Sequence, residues 1–217
     1  MKIPVSHGHL EASMREPPSD PVGAAVVCHP HPLYGGSMHT KAVYRAAQAL
    51  ADSGLRALRF NFRGVGASTG SHEEGIGERE DVRAALDWLS ADAPGMPMVA
   101  GGFSFGSMVA LGEAVADDRV VALLGMGLPI DMYDYSYLSG ADKPVLVVQG
   151  EDDEFGSGDK AAEVVRALGD HVTLARIAGA DHYFNDRFDD LREVIVEYFT
   201  TGAGAEALKV ARGGRRS

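Results

Sequence analysis

The stretch MVAGGFSFGSMVAL, residues 98–111, changes character at Ser104. The apolar run before the serine is typical of a buried strand, and the residues after it continue as a helix. Gly102 and Gly106 stand two positions to either side of the serine. A sharp strand-to-helix turn would crowd these two positions, so glycine has a steric reason to occupy both. A serine that only caps the helix, between ordinary turn glycines, would give the same pattern. Residues elsewhere in the chain must therefore distinguish the two interpretations.

Six apolar runs predict the strands of one sheet, and near-continuous apolarity indicates that most are covered on both faces. They span 24–30, 55–62, 96–103, 120–127, 144–150 and 172–179. Segments with helical periodicity follow the first, second, third, fifth and sixth runs, over 38–54, 77–92, 105–117, 158–170 and 186–202. This alternation predicts an α/β fold with a mostly parallel central sheet and helices on both faces. The segment 5–14 is expected to add an antiparallel edge strand or hairpin.

Length and composition suit one globular domain. The chain has 217 residues, 45% hydrophobic and 24% charged, which is enough for a substantial core. We predict a single domain over residues 1–202. We expect a flexible basic tail over 203–217, where a Gly/Ala-rich run leads to the ending RGGRRS.

Charge and hydropathy limit the partners and the compartment. The net charge of −11 argues against nucleic acid, because phosphate binding requires a basic surface. No run approaches the ~18 apolar residues of a membrane span, so no membrane partner is expected. Residues 1–13 lack the apolar core of a secretory signal. With Cys28 as the single cysteine, these features predict a cytoplasmic protein. The sequence leaves a monomer and a homodimer both open.

Reactive side chains follow three of the predicted strands. In open α/β sheets the ligand crevice lies beyond the carboxyl ends of the strands. Ser104 follows the run 96–103, and His182 follows the run 172–179. The run 144–150 is followed by four acids: Glu151, Asp152, Asp153 and Glu154. The order Ser, acid, His is the order of a nucleophile, an orienting acid and a base on this architecture.

Two alternatives to this assignment are weaker. His171 also lies after the acids, but it precedes a strand and so belongs to the opposite edge of the sheet. Asp181 is next to His182, yet neighbouring side chains in a loop rarely face each other.

With these residues in this order, the chain resembles the α/β-hydrolase superfamily, and more closely a group of small bacterial hydrolases without a lid. The resemblance is carried by CHPHPLYGGSMHTK (28–41), LRFNFRGVGASTG (58–70), GGFSFGS (101–107), VLVVQGEDDEF (145–155) and GADHYFNDR (179–187). Members are described mostly as carboxylesterases or dienelactone-hydrolase-like proteins. The resemblance therefore implies a cofactor-independent serine hydrolase that acts on a small-molecule ester through an acyl-enzyme.

The resemblance also implies individual roles. Ser104 is similar to the nucleophile and His182 to the base. The acid of the family stands three residues after a strand-ending glycine, which selects Asp153. The backbone N–H groups expected to bind the oxyanion are those of Phe105 and, in the loop after the run 24–30, Leu33.

A short connection between the runs 120–127 and 144–150 leaves no room for the lid domain of larger relatives, which predicts an open site. Met132, Tyr133, Tyr135 and Tyr137 lie in this connection and either line an apolar substrate wall or pack on the scaffold. The candidate substrate-contacting residues are Tyr34, Met132, Tyr133 and Tyr183. Rival functions are thioester or lactone hydrolysis by the same groups and, outside catalysis, a ligand-binding module.

Two motifs suggest other chemistry on first inspection. His29, His31 and His39 share one loop, but no Cys, Asp or Glu there completes a metal site, so no metal is expected. The glycines of RGVGASTG (63–70) read G-x-G-x-x-x-G, which departs from the dinucleotide fingerprint. We therefore interpret both loops as structural.

Overall fold

The computed structural model describes residues 1–214, and within them eight strands form one sheet. The strands are β1 (Lys2–Val5), β2 (Gly8–Arg15), β3 (Gly23–Cys28), β4 (Leu55–Phe60), β5 (Met98–Phe103), β6 (Val120–Met126), β7 (Val145–Gly150) and β8 (Val172–Ile177). Their order across the sheet is β1-β2-β4-β3-β5-β6-β7-β8. The first two strands form the expected antiparallel edge hairpin, and β3 to β8 run parallel to one another.

Helices cover both faces of this sheet. They are α1 (Lys41–Asp52), α2 (Ile76–Asp92), α3 (Phe105–Ala114), α4 (Gly158–Leu168), α5 (Phe188–Thr200) and α6 (Ala203–Gly213). Side chains of α2, α3 and α4 pack into one hydrophobic cluster, and those of α1, α5 and α6 pack into another on the opposite face. None of the helices described over residues 1–214 combines the length and apolar character that crossing a bilayer requires.

The central strands are buried on both sides because their residues alternate between these clusters. In β3, Val26 belongs to the cluster with α2 and α3, whereas Val27 belongs to the cluster with α1 and α5. A strand with two buried faces needs apolar residues at every position, which is the pattern that the sequence shows. The predicted α/β architecture is confirmed.

The connection between β6 and β7 contains only a short 3₁₀ turn, Ser136–Gly140, as its regular structure. It contributes no lid domain. The carboxyl ends of β5, β7 and β8 therefore meet at an edge of the sheet that the rest of residues 1–214 leaves accessible.

The chain departs from expectation after residue 202. Most of the predicted tail forms α6, and Leu208 on that helix is 3% exposed in the cluster with α1 and α5. The Gly/Ala-rich composition allows a small-residue contact, since Gly204 lies against the rings of Tyr198 and Phe199. Residues 215–217 of that tail lie outside the described residues.

We expect Leu208→Ala to lower the free energy of unfolding by roughly 2–4 kcal/mol, because it removes a buried side chain and leaves a cavity. Urea unfolding followed by circular dichroism measures the change. Val210→Ala is the matched control, since Val210 lies on the same helix and is 63% exposed. Equal, small losses in both variants would mean that α6 adds nothing to the folded domain.

Candidate active site

Ser104 occupies a strained bend between β5 and α3. Its backbone has φ 56° and ψ −124°, a conformation that costs a non-glycine residue roughly 1–3 kcal/mol. The bend has no room for side chains on either flank. A Cβ at Gly102 would meet the backbone of Gly106, and a Cβ at Gly106 would meet the carbonyl groups of Cys28 and His29. The steric reason predicted for these glycines is confirmed.

The side chain of Ser104 begins a chain of hydrogen bonds. Its Oγ lies 2.9 Å from Nε2 of His182, and Nδ1 of His182 lies 2.9 Å from Oδ2 of Asp153. Three loops, after β5, β7 and β8, supply the three residues, as parallel strands ending at one edge allow. The side chains of His182 and Asp153 are almost fully buried. The imidazole is therefore held in one orientation between a carboxylate and a hydroxyl.

Asp153 is held by further hydrogen bonds that sequence reasoning missed. Nε2 of Gln149 donates to its Oδ2 at 2.8 Å, and the backbone N–H of Phe155 donates to its Oδ1 at 2.9 Å. The Gln149 side chain also bonds both backbone groups of Leu128. The available signal was the polar Gln149 within the otherwise apolar run VLVVQG.

The neighbouring acids lie elsewhere. Asp152 and Glu154 are exposed, and Glu151 pairs with Arg176 at 3.3 Å. Asp181 accepts hydrogen bonds from the backbone and side-chain amides of Asn185. His171 precedes β8, at the opposite end of the strand from His182, and its Nε2 lies 2.9 Å from the carbonyl oxygen of Leu138. Asp153 is thus the carboxylate that the structure brings to His182.

The N–H of Phe105, the first residue of α3, makes no hydrogen bond within residues 1–214. Since the first N–H groups of a helix lack intrahelical acceptors, that of Phe105 is available to a ligand. Leu33 differs from expectation. Its N–H donates to Nδ1 of His31 at 3.2 Å, so it is already engaged. The N–H of His31 makes no hydrogen bond within residues 1–214, and His31 lines the same cavity as Ser104 and Phe105.

His29 fixes the loop that carries His31. Its ring lies 2.7 Å through Nδ1 from the carbonyl oxygen of Pro30 and accepts through Nε2 from the N–H of Phe62 at 3.0 Å. This pattern requires the neutral imidazole with its proton on Nδ1. Burial lowers the pKa of His29 to about 4, an effect that the bond to Pro30 and the charge of Glu78 partly offset.

A cavity of about 390 Å³ opens in front of Ser104. The four candidate substrate-contacting residues all line it: Tyr34, Met132, Tyr133 and Tyr183. Sequence reasoning missed Phe155, whose ring centroid lies 4.7 Å from that of His182. Tyr34 is 84% exposed and Met132 59%, so the rim of the cavity is open to solvent.

Tyr135 and Tyr137 pack on the scaffold instead of lining this cavity. Both side chains are largely enclosed, and burial raises the pKa of each hydroxyl. The Tyr135 hydroxyl lies 3.2 Å from Oγ of Ser107, which in turn donates to the carbonyl oxygen of Ser104 at 2.6 Å. Tyr135 therefore supports the bend at Ser104 indirectly, through its contact with Ser107.

The motifs that suggested other chemistry have structural partners. Among residues 1–214, no three or more His, Cys, Asp or Glu side chains gather as a metal site would require. In the loop 63–70, Arg63 forms a buried ion pair with Asp81 at 2.9 Å, and Oγ of Ser68 donates to the carbonyl of Asn61.

Comparison with known proteins gives a consistent result. Residues 25–194 match the family model described as an alpha/beta hydrolase domain. A relative in Rickettsia prowazekii (strain Madrid E), an uncharacterized protein, is 34% identical over 203 residues, covering 89% of this chain and 85% of its own.

Two solved structures share both fold and sequence with this chain. An alpha-beta serine hydrolase homologue from Coxiella burnetii has a TM-score of 0.86 and 34% identity, over 91% of this chain and 95% of its own. A protein from Xanthomonas campestris, described as an a/b serine hydrolase without lid, has a TM-score of 0.83 and 34% identity, over 92% of this chain and 91% of its own.

We expect the pKa of His29 to be about 4 in the folded protein, with the neutral ring protonated at Nδ1. An unfolded chain takes up this proton near pH ~6.5. The contribution of His29 to stability is therefore fully present above that pH and is lost as the pH falls toward 4. Two-dimensional ¹H–¹⁵N correlation spectra of the histidine rings, recorded across this pH range, measure the pKa of His29 and identify its tautomer. A pKa near the unfolded value would contradict the arrangement.

Proposed function

The chain belongs to the α/β-hydrolase family, and on that premise we propose that it is a serine esterase that cleaves carboxylic esters with short acyl chains. One observation carries the proposal. His182 lies 2.9 Å from both Ser104 and Asp153, and the serine faces a cavity that a small ester can enter. The two solved relatives that are 34% identical are described as serine hydrolases, which supports the same reaction class.

In the first step, Ser104 Oγ attacks the ester carbonyl while its proton passes to Nε2 of His182. Asp153 keeps the imidazole proton on Nδ1, so Nε2 is free to accept, and it stabilises the imidazolium that forms. Because Gln149 and Phe155 already hold the carboxylate, little reorganisation accompanies the proton transfer.

The tetrahedral intermediate carries a negative oxygen that needs hydrogen-bond donors. We assign the N–H groups of Phe105 and His31 to this role, so His31 replaces the expected Leu33. His182 then returns its proton to the departing alcohol as the C–O bond breaks and the acyl-enzyme forms. Water attacks the acyl group by the same route, which releases the acid and restores Ser104.

The shape of the cavity favours small acyl groups. Its volume of about 390 Å³ and open rim offer apolar contact near Tyr133 and Met132 but no enclosed channel for a long chain. Each methylene buried there gains about 0.8 kcal/mol, and the gain stops where the chain reaches solvent.

Cysteine content and net charge support a cellular location and a class of substrate. A single buried cysteine, Cys28, supports a cytoplasmic location. The acidic net charge supports a small-molecule substrate rather than nucleic acid. We propose a monomer or a homodimer that requires no cofactor for the steps above.

Ser104→Ala should lower kcat on p-nitrophenyl acetate by roughly 10⁴-fold, because the nucleophile and its base act as a unit. The variant should also lose labelling by a fluorophosphonate probe, which reacts with activated serines. Residual turnover at a tenth of the wild-type rate would overturn the assignment of Ser104. A wild-type protein that neither labels nor turns over would instead be a ligand-binding module.

Matched carboxylate variants separate the loss of the carboxylate that bonds His182 from the mere loss of a negative charge in this loop. Asp153→Asn should cripple turnover, because the amide favours the wrong imidazole tautomer, whereas Asp152→Asn should be mild, because Asp152 is exposed. Equal losses in the two variants would leave the assignment of Asp153 without support.

We expect kcat/KM to peak for acyl groups of roughly two to six carbons, as the cavity size implies. A series of p-nitrophenyl esters of graded length measures this, with dissolved and emulsified substrates compared. No jump in rate is expected at the solubility limit, since no lid covers the site. A steady rise through dodecanoate would reveal an acyl channel and refute the short-chain assignment.

A further inference from the structure

The cations of this acidic protein fall into two groups. Many are neutralised by carboxylates, as Arg63 is by Asp81 and Arg56 by Glu16 and Asp92. Four basic residues near α1 differ, since none of them has a carboxylate within 4.0 Å among residues 1–214. They are Arg15, Lys41, Arg45 and Arg59, and we call them the cation cluster.

Tyr44 contacts two members of this cluster, and the Nζ of a third, Lys41, lies 5.9 Å from the ring centre of Phe188. The guanidinium carbons of Arg15 and Arg59 lie 5.2 and 5.0 Å from the centre of the Tyr44 ring, and Arg15 donates to the Tyr44 hydroxyl at 2.8 Å. Arg15 and Arg59 come from β2 and β4, which are neighbouring strands, while Lys41 and Arg45 lie one turn apart on α1. Three elements, β2, β4 and α1, thus bring four positive charges to one region of the surface.

Arg59 is the member that most needs a counter-charge. It is 7% exposed and donates to the carbonyl of Met38 at 2.6 Å, but its Nε is buried without a partner. Burial and, after it, the charge of Arg15 lower the pKa of Arg59. A desolvated cation without a carboxylate is costly. Arg59 does not line the cavity described next, but its guanidinium lies against the ring of Tyr44, which does. An anion in that cavity would therefore lower the cost through its field, without contacting Arg59.

The cluster adjoins a cavity of about 460 Å³ that is separate from the one in front of Ser104. Its lining combines cations, an amide and two aromatic rings: His39, Lys41, Tyr44, Arg45, Gln48 and Phe188. No side chain caps the N-terminus of α1, which begins at Lys41, so the positive end of the helix dipole adds to the field there.

Two carboxylates on the elements that carry or adjoin the cluster are engaged with other partners. Glu11 accepts hydrogen bonds from the N–H of Ala67 and the side chain of Asn61, and these bonds lower its pKa, with a smaller contribution from His39. At the far end of α1, Asp52 pairs with Arg192. Neither carboxylate forms an ion pair with the cation cluster.

We propose that this cavity binds the phosphate group of a small organic phosphate. Lys41 and Arg45 would contact the phosphate oxygens, and Arg15 and Arg59 would add to the positive potential around Tyr44. A dianion suits several cations better than a single carboxylate does. The rings of Tyr44 and Phe188 offer apolar contact to the organic part. A long polyanion is disfavoured, because the net charge of −11 would repel the rest of it.

The test is a ¹H–¹⁵N NMR titration of the full chain with phenyl phosphate and with inorganic phosphate at low ionic strength. Saturable shifts are expected in the amides of residues 39–48, with a Kd of roughly 1 mM or below for phenyl phosphate and weaker binding of inorganic phosphate. The variant Lys41→Ala/Arg45→Ala should bind at least ~10-fold more weakly, since it removes two charge-assisted contacts. Both positions lie on the solvent side of α1, so the variant is expected to fold.

The control Lys2→Ala/Arg166→Ala removes the same charge from two exposed cations that also have no ion pair within residues 1–214, and it should bind as the wild type does. Equal weakening in both variants would reduce the effect to net charge and overturn the proposal. So would the absence of saturable shifts up to about 10 mM ligand, or shifts centred on Ser104 and Phe105. The measurement does not depend on esterase activity, so it stands whether or not the proposed function does.

Discussion

Gly106 lies so close to the carbonyl groups of Cys28 and His29 that no side chain fits between α3 and the end of β3. This close approach sets the distance between the strained serine and the loop that follows β3. It places the N-terminus of α3, with the free N–H of Phe105, beside His31. A larger residue at Gly106 or at Gly102 would move Ser104 away from the groups that face it, however well the rest of the sheet packed.

The polar groups around the serine are buried but well satisfied. Asp153 has hydrogen bonds to both carboxylate oxygens in addition to the one from His182. In a low-dielectric interior an unsatisfied carboxylate would be expensive, whereas a fully bonded one orients its neighbour strongly. Gln149 extends this order to the connection after β6, because the same amide side chain holds Leu128. The position of the imidazole thus depends on three different strand ends at once.

One segment links the cavity in front of Ser104 with the cavity beside the cation cluster. The loop after β3 begins at His29, supplies His31 and Tyr34 to the cavity in front of Ser104, and leads into α1 at Lys41. Met38 within this segment donates to Asn61 and accepts from Arg59. A buried neutral histidine therefore anchors one end of the segment, and a buried cation anchors the other.

The sequence by itself determined the architecture and predicted the three side chains that share a chain of hydrogen bonds at the sheet edge. Strand periodicity and burial are local properties, and Ser104, Asp153 and His182 each follow a strand whose carboxyl end must reach the same edge. The sequence could not identify the groups whose role depends on contacts between distant segments. Gln149, Phe155 and the engaged N–H of Leu33 are of this kind, because hydrogen-bond partners are chosen by packing. The helix within residues 203–214 could not be predicted for the same reason. A Gly/Ala-rich helix is weak alone, and here it is stabilised by the burial of Leu208. The cation cluster likewise joins β2, β4 and α1, and only the tertiary structure decided that these charges would meet without a carboxylate among them.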